Sequence, residues 1–252
     1  MKKTNNRKSV LHDRWKTIGW ELLLLAVFNI MLASCDRERL SGSGYVISET
    51  RETGVFTDVE VDGPMHVHLQ QGPPTPLQIT AEDNLIRVID TYVSGTTLHI
   101  RIKSGVSVHS TRDIDIYLKS ATYNSVFFAG SGSVESLDTI RTERFEYKLA
   151  GSGNARFPIV TNRLETEIEG SGSVQLNGSA HTFYSNIDGS GDVRGMDFYC
   201  EDADISVKGS GGHTLNVSNS LDVSIRGSGE VKYRGTAVVR TDISGSGKVI
   251  KL

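Results

Sequence analysis

The chain has 252 residues with 27 Lys and Arg against 30 Asp and Glu, a net charge of −3 and a hydrophobic fraction of 37%. That length suits one ordinary domain or an elongated repeat array, and the small aromatic content argues against a large globular core. A mature acidic chain is also a poor partner for nucleic acid, where Lys and Arg must displace counterions.

The N-terminus reads as an export signal. Lys2, Lys3, Arg7, Lys8, Arg14 and Lys16 form a basic lead, and the apolar run Leu22 to Leu32 follows, then Ala33-Ser34-Cys35. A charged region, a short apolar region and small residues before a cleavage point are the parts of a secretory signal. The apolar run falls short of the roughly 20 residues that a membrane span needs. The stretch "LASC" has the form of a bacterial lipobox, which makes Cys35 the expected lipidation site and the membrane a partner through that lipid. Removing residues 1–34 takes away six basic and two acidic side chains and moves the net charge from −3 to −7. Cys200 is then left without an intramolecular disulfide partner, and its place in "MDFYC" predicts burial as a small apolar residue. Residues 35–45, with "DRERLSGSGY" after the cysteine, read as a flexible tether.

Residues 46–120 are strand-like and irregular, and are expected to form an N-terminal β cap. In "DGPMHVHL", Met65, Val67 and Leu69 face one way and His66 and His68 the other. "GPPTP" at Gly72–Pro76 predicts a loop, since proline cannot donate to a central ladder. Leu98, Ile100 and Ile102 mark one further strand, and Ile114, Ile116 and Leu118 another.

Residues 121–252 carry a repeat. From residue 130 on, seven Gly-Ser-Gly triplets begin at Gly130, Gly151, Gly170, Gly189, Gly209, Gly227 and Gly245, at spacings of 21, 19, 19, 20, 18 and 18. Two residues before each triplet stand Phe128, Leu149, Ile168, Ile187, Val207, Ile225 and Ile243. Four residues after its first glycine stand Val134, Ala155, Val174, Val193, His213, Val231 and Val249. His213 alone breaks that column, and the extra Gly212 is expected to push the next apolar residue out to Leu215. Segments such as Leu221-Asp222-Val223-Ser224-Ile225 alternate at period two, which is strand periodicity.

Each unit is therefore expected to be a strand, a Gly-Ser-Gly corner, a second strand and a return loop. One unit cannot bury its apolar face, so units stack about 4.8 Å apart and share a core. The expected fold is all-β: a single-stranded β-helix, or β-solenoid, with about seven such rungs, a rod of roughly 30–35 Å. The corner glycines are Gly130 and Gly132, Gly151 and Gly153, Gly170 and Gly172, Gly189 and Gly191, Gly209 and Gly211, Gly227 and Gly229, and Gly245 and Gly247. Glycine suits a corner because it accepts positive φ and lets successive backbones approach closely. The serines between them are expected to form a hydroxyl ladder. Gly63, with Val61 two before it and Val67 four after, fits the template as a degenerate rung.

The triplet does not fit other glycine chemistries. "GSGK" at Gly245–Lys248 lacks both the earlier glycine of a phosphate loop, where Asp242 stands, and the hydroxyl after the lysine, where Val249 stands. The calcium-binding nonapeptide needs an Asp after each glycine pair, and only Asp192 occupies such a place. His66 and His68 share a metal-site spacing, with His99 as the third ligand if its strand lies alongside; solvated strand histidines are the alternative. No metal or cofactor is expected.

"FTDVEVDGPMHVHLQQG", then "LQITAEDNLIRVIDTYVSGTTLHIRI", then the repeated corners, resemble the putative auto-transporter adhesin head domain family, the head GIN domain, over about residues 45–252. The resemblance implies a right-handed β-helix-like fold and a place on lipid-anchored envelope proteins of Gram-negative bacteria, the outer membrane above all. It brings no catalytic residues. The expected function is a non-catalytic module for adhesion or interaction with a protein or glycan ligand that the sequence does not name; oligomeric state is open. The competing readings are a periplasmic scaffold and a carbohydrate-active enzyme. The last needs converging carboxylates. The outward positions before each corner run Glu165, Glu167, Glu169; Tyr184, Asn186, Asp188; Asp204, Ser206, Lys208; Asp222, Ser224, Arg226, so Glu169 and Asp188 are expected to stack as like charges.

Overall fold

The computed structural model describes residues 38–252, so the leader and Cys35 lie outside the described residues. Arg39–Leu252 forms one compact unit. The strands are β1 (Glu38–Ser41), β2 (Val46–Arg51), β3 (Asp58–Asp62), β4 (His66–Gln71), β5 (Thr75–Glu82), β6 (Ile89–Ser94), β7 (Thr97–Ile102), β8 (Val106–His109) and β9 (Asp115–Ser120). They continue as β10 (Ser125–Gly130), β11 (Ser133–Ser136), β12 (Ile140–Gly151), β13 (Asn154–Gly170), β14 (Ser173–Gly189), β15 (Asp192–Gly209), β16 (Gly212–Gly227), β17 (Glu230–Arg234), β18 (Val238–Gly245) and β19 (Lys248–Lys251). A 3-10 turn spans Ile86–Val88.

From β10 onward the strands pair in parallel, each with its counterpart one repeat later, and the apolar columns align as the repeat predicts. Phe128 lies opposite Leu149, Leu149 opposite Ile168, Ile168 opposite Ile187, Ile187 opposite Val207 and Val207 opposite Ile225. All six are buried. Each side chain of that size withdrawn from water contributes about 2 kcal/mol, and the stack repeats the contribution at every coil. Aromatic rings fill the lumen: Phe157 meets Phe145 at 5.2 Å and Tyr147 at 4.9 Å between ring centres, and Phe183 meets Phe198 at 5.4 Å. The fold is a β-solenoid.

The expected return loops are absent from the central coils. β13 to β16 run 16 to 18 residues without interruption, and each turns where successive side chains point outward, at Asn162-Arg163, His181-Thr182, Glu201-Asp202 and Ser218-Asn219-Ser220. Breaking the alternation for one step rotates the inward face around the lumen while the backbone ladder continues.

The degenerate rung at Gly63 lies inside the stack. β3 and β4 pair in parallel with β10 and β11 on one side and with β7 and β9 on the other. A segment early in the chain is thus sandwiched between two later ones, and residue 120 marks no structural boundary. Below β7 and β9 the pairing turns antiparallel, with β6 on β7, β5 on β9 and β2 on β5. Leu77, Ile79, Ala81, Leu85, Ile86 and Ile89 from this cap are buried and close that end of the lumen. The loop expected at Gly72–Pro76 is shorter: Thr75 and Pro76 open β5, where its pairing with β9 is irregular.

The tether expected at 35–45 also needs correction. β1 pairs with β8, and the Gly42 N–H donates to the His109 carbonyl at 3.0 Å. The buried Glu82 carboxylate accepts from the Gly44 N–H at 2.6 Å, the Thr111 N–H at 2.9 Å and the Thr111 hydroxyl at 2.6 Å. These bonds, the Thr111 hydroxyl first, hold the carboxyl below its ordinary range. A charge buried without a counter-ion persists only when hydrogen bonds surround it, and here they pin residues 42–44 to the body.

Candidate interaction faces

At each corner the first glycine has positive φ, +126° at Gly170, and a Cβ there would stand 2.2 Å from the Gly151 carbonyl oxygen of the preceding coil. The third glycine is equally confined: a Cβ on Gly172 would stand 2.2 Å from the Gly153 carbonyl oxygen and 2.3 Å from Leu149. The coils approach this closely because the middle serine donates its backbone N–H to the earlier corner, Ser171 to the Gly151 carbonyl at 3.0 Å and Ser190 to that of Gly170 at 2.8 Å. The expected hydroxyl ladder is reduced to one link among the described residues, Ser228 to Ser246 at 3.0 Å. The corner serves the backbone.

Two outward faces flank the corners. On the face before them, one column runs Glu146, Glu165, Tyr184, Asp204, Asp222, each opposite the next. It borders a shallow concavity of about 280 Å³ that Glu167 and Asn186 also line. Glu165 is its hub, 2.9 Å from Arg144 and 2.6 Å from Arg163, and Arg163 lies over the Tyr184 ring at 4.2 Å. Lys148 bridges Glu146 at 3.1 Å and Glu167 at 3.3 Å, and its hydrogen bond to Glu146 leads the causes that raise its pKa. Glu169 and Asp188 do stack across adjacent coils, with Lys208 and Arg226 next in the column. Both carboxylates are exposed.

The face after the corners carries His66 and His68. His68 has both ring nitrogens engaged, Nδ1 with Glu135 and Nε2 with Asp115, each at 2.9 Å, and its ring stacks on Tyr117 at 4.6 Å. His66 bonds Ser133 through Nδ1 at 2.8 Å. His99 is not beside them, because its strand β7 pairs with β3 and not with β4; it meets Glu60 at 3.3 Å and stacks on Tyr92 at 4.8 Å. Among the described residues no group of three or more His, Cys, Asp or Glu side chains is arranged to hold a metal ion.

Of the outward rings, Tyr184 is half-buried, while Phe127, Tyr92, Tyr117 and Tyr199 are exposed. Tyr92 and Tyr117 sit at outward strand positions, so the period-two pattern carried that signal. Their stacking on histidines did not show in sequence, because it depends on which strands become neighbours. Inside, Cys200 is buried and its thiol is pushed up to about 12 by desolvation. His213 points inward, in register with Val193 and Val231, so Gly212 displaces nothing there. The extra residues lie between Gly195 and Tyr199, where the ladder with β16 shifts.

Solved structures share this architecture. A putative adhesin from Bacteroides fragilis superposes with a TM-score of 0.78 at 23% identity, covering 84% of this chain and 100% of its own. A putative lipid binding protein from Parabacteroides distasonis does so with a TM-score of 0.73 at 24% identity, covering 85% of this chain and 100% of its own. A putative adhesin from Parabacteroides merdae gives a TM-score of 0.68 at 19% identity, covering 85% and 99%. None of the curated proteins matches the chain. With the solenoid, its corners and its cap in place, the match of a family model to residues 55–237 completes the assignment: the chain belongs to the family described as putative auto-transporter adhesin, head GIN domain.

Proposed function

We propose that this protein is a non-catalytic module of the cell envelope, lipid-anchored at Cys35, that presents the solenoid faces to a protein or glycan ligand. One observation carries the reading: the lumen is packed with side chains, and what the molecule offers is long, open faces of paired charges flanking the corners. Such a surface suits recognition over an extended area. The basic and apolar leader ending in "LASC" supports export and lipidation. The Gram-negative outer membrane is the proposed location. The likeness to a protein named for lipid binding adds lipid to the ligand classes to test on the outer faces, since aromatic rings occupy the lumen.

Protease shaving of intact cells, with a periplasmic protein as control, tests the reading. Loss of the solenoid with the control intact supports outward display. Protection until the outer membrane is opened overturns adhesion to other cells and favours a periplasmic scaffold. The anchor is tested separately: Cys35→Ala should abolish incorporation of labelled fatty acid and release the chain from membranes, and unchanged labelling would remove Cys35 from the proposal.

A further inference from the structure

The two ends of the solenoid are unlike. The β7–β9 end is covered by antiparallel strands and plugged by apolar cap residues. At the other end, β18 pairs with β16 and β19 with β17, and no described strand pairs with their outer edges. Ile243, which continues the buried column of Ile225, is 40% exposed, and Val239 and Val249 are only partly covered. An uncovered ladder with apolar residues on its inner side is a template for a further strand.

We propose that this end pairs with the same end of a second copy, β18 against β18, as a closed two-fold dimer. Two features favour a second copy in this arrangement. The capped end offers no matching bare rung, so head-to-tail stacking lacks one of its surfaces, whereas end-to-same-end contact is self-complementary and closes. The sequence of β18 is also complementary to its own reverse. An antiparallel pair centred on Thr241 sets Arg240 opposite Asp242 and Val239 opposite Ile243. Val239, Thr241 and Ile243 all lie in register with the inward residues Leu221, Val223 and Ile225, so the pair joins lumen to lumen and charge to charge. Asp242 has no ion-pair partner among the described residues, and Arg240 reaches only Asp222, at 3.5 Å. The chain enters the body at the capped end, where Glu82 holds Gly44. The dimer therefore sets the two N-terminal ends far apart. Given the anchoring proposed above, copies on facing membranes are the ones that pair.

The test uses the purified full chain and does not depend on anchoring. Sedimentation should show a concentration-dependent dimer. Asp242→Arg, which sets Arg against Arg twice, should raise the dimer dissociation constant by about tenfold or more, and the double exchange Arg240→Asp with Asp242→Arg should restore it. Thr241→Cys should form a disulfide-linked dimer under mild oxidation, because facing residues of an antiparallel pair lie about 4.5–5.5 Å apart, while Ser190→Cys and the unaltered chain should not. A monomer at all concentrations, a dimer indifferent to Asp242→Arg, or no rescue by the double exchange would overturn the proposal. A far-ultraviolet spectrum unchanged in each variant separates lost pairing from lost fold.

Discussion

Ser185 and His213 meet inside the lumen, Oγ 2.7 Å from Nε2, although 28 residues separate them in the chain. Thr166 donates to Ser185 at 2.7 Å, and His213 Nδ1 has no hydrogen-bond partner. Polar groups thus occupy core positions where neighbouring coils have Ile205 and Val193, and the chain of bonds links three successive coils.

His213 makes the fold acid-sensitive. Burial drives its pKa down to about 3 from the ordinary 6.5. Between those values the unfolded chain binds a proton that the native one refuses, so stability falls as pH drops below about 6.5. His213→Val, which extends the column of Val193 and Val231, removes this term. The stability of the variant relative to the parent should rise by about 2 kcal/mol between pH 7 and pH 5. Urea unfolding at the two values reads it, and equal pH dependence in both chains would place His213 outside the core.

Tyr147 buries a hydroxyl with no hydrogen-bond partner, and desolvation raises its pKa. Removing an unsatisfied buried polar group relieves its desolvation. Tyr147→Phe should therefore stabilise the chain by about 1 kcal/mol. A loss of similar size on chemical unfolding would mean that the hydroxyl has a partner, such as a lumen water.

Corner glycines and turn glycines should respond differently to alanine. Gly95, with φ +63°, has nothing within 4 Å of a built Cβ, whereas Gly170 meets the Gly151 carbonyl at 2.2 Å. Gly95→Ala should cost about 1 kcal/mol, from backbone conformation alone. Gly170→Ala must also push two coils apart and should cost about 3 kcal/mol or more. Similar melting shifts for the two would show that close approach is not what the corner requires.

Glu82 is the lock on the N-terminal segment. Because its pKa is held down, the lock is fully engaged above the ordinary carboxylate range and is lost as pH falls through the depressed value. Glu82→Gln should free residues 42–44 while the coils remain folded, seen as faster amide hydrogen exchange at Gly44 and Thr111 with protection in β13–β16 unchanged. Protection at Gly44 equal to the parent would show that the β1–β8 pairing suffices.

The sequence by itself determined the repeating part of the protein. The seven triplets and their flanking columns predict parallel coils, an inward face and the corner glycines, because each coil meets its neighbour through equivalent residues and the register is written in the period. Even the lone rung at Gly63 was legible, since Val61 and Val67 fit the same template. What the period does not carry, only the tertiary structure decided. It placed the Gly63 rung between β7–β9 and β10–β11, sent His99 to a different face from His68, and folded residues 42–44 onto Glu82. It also turned His213 inward to Ser185 and left β18 and β19 open at one end. In each case the deciding contact joins segments distant in the chain and unlike in sequence, so no local pattern specifies the partner; burial and hydrogen-bond satisfaction across the assembled stack choose it.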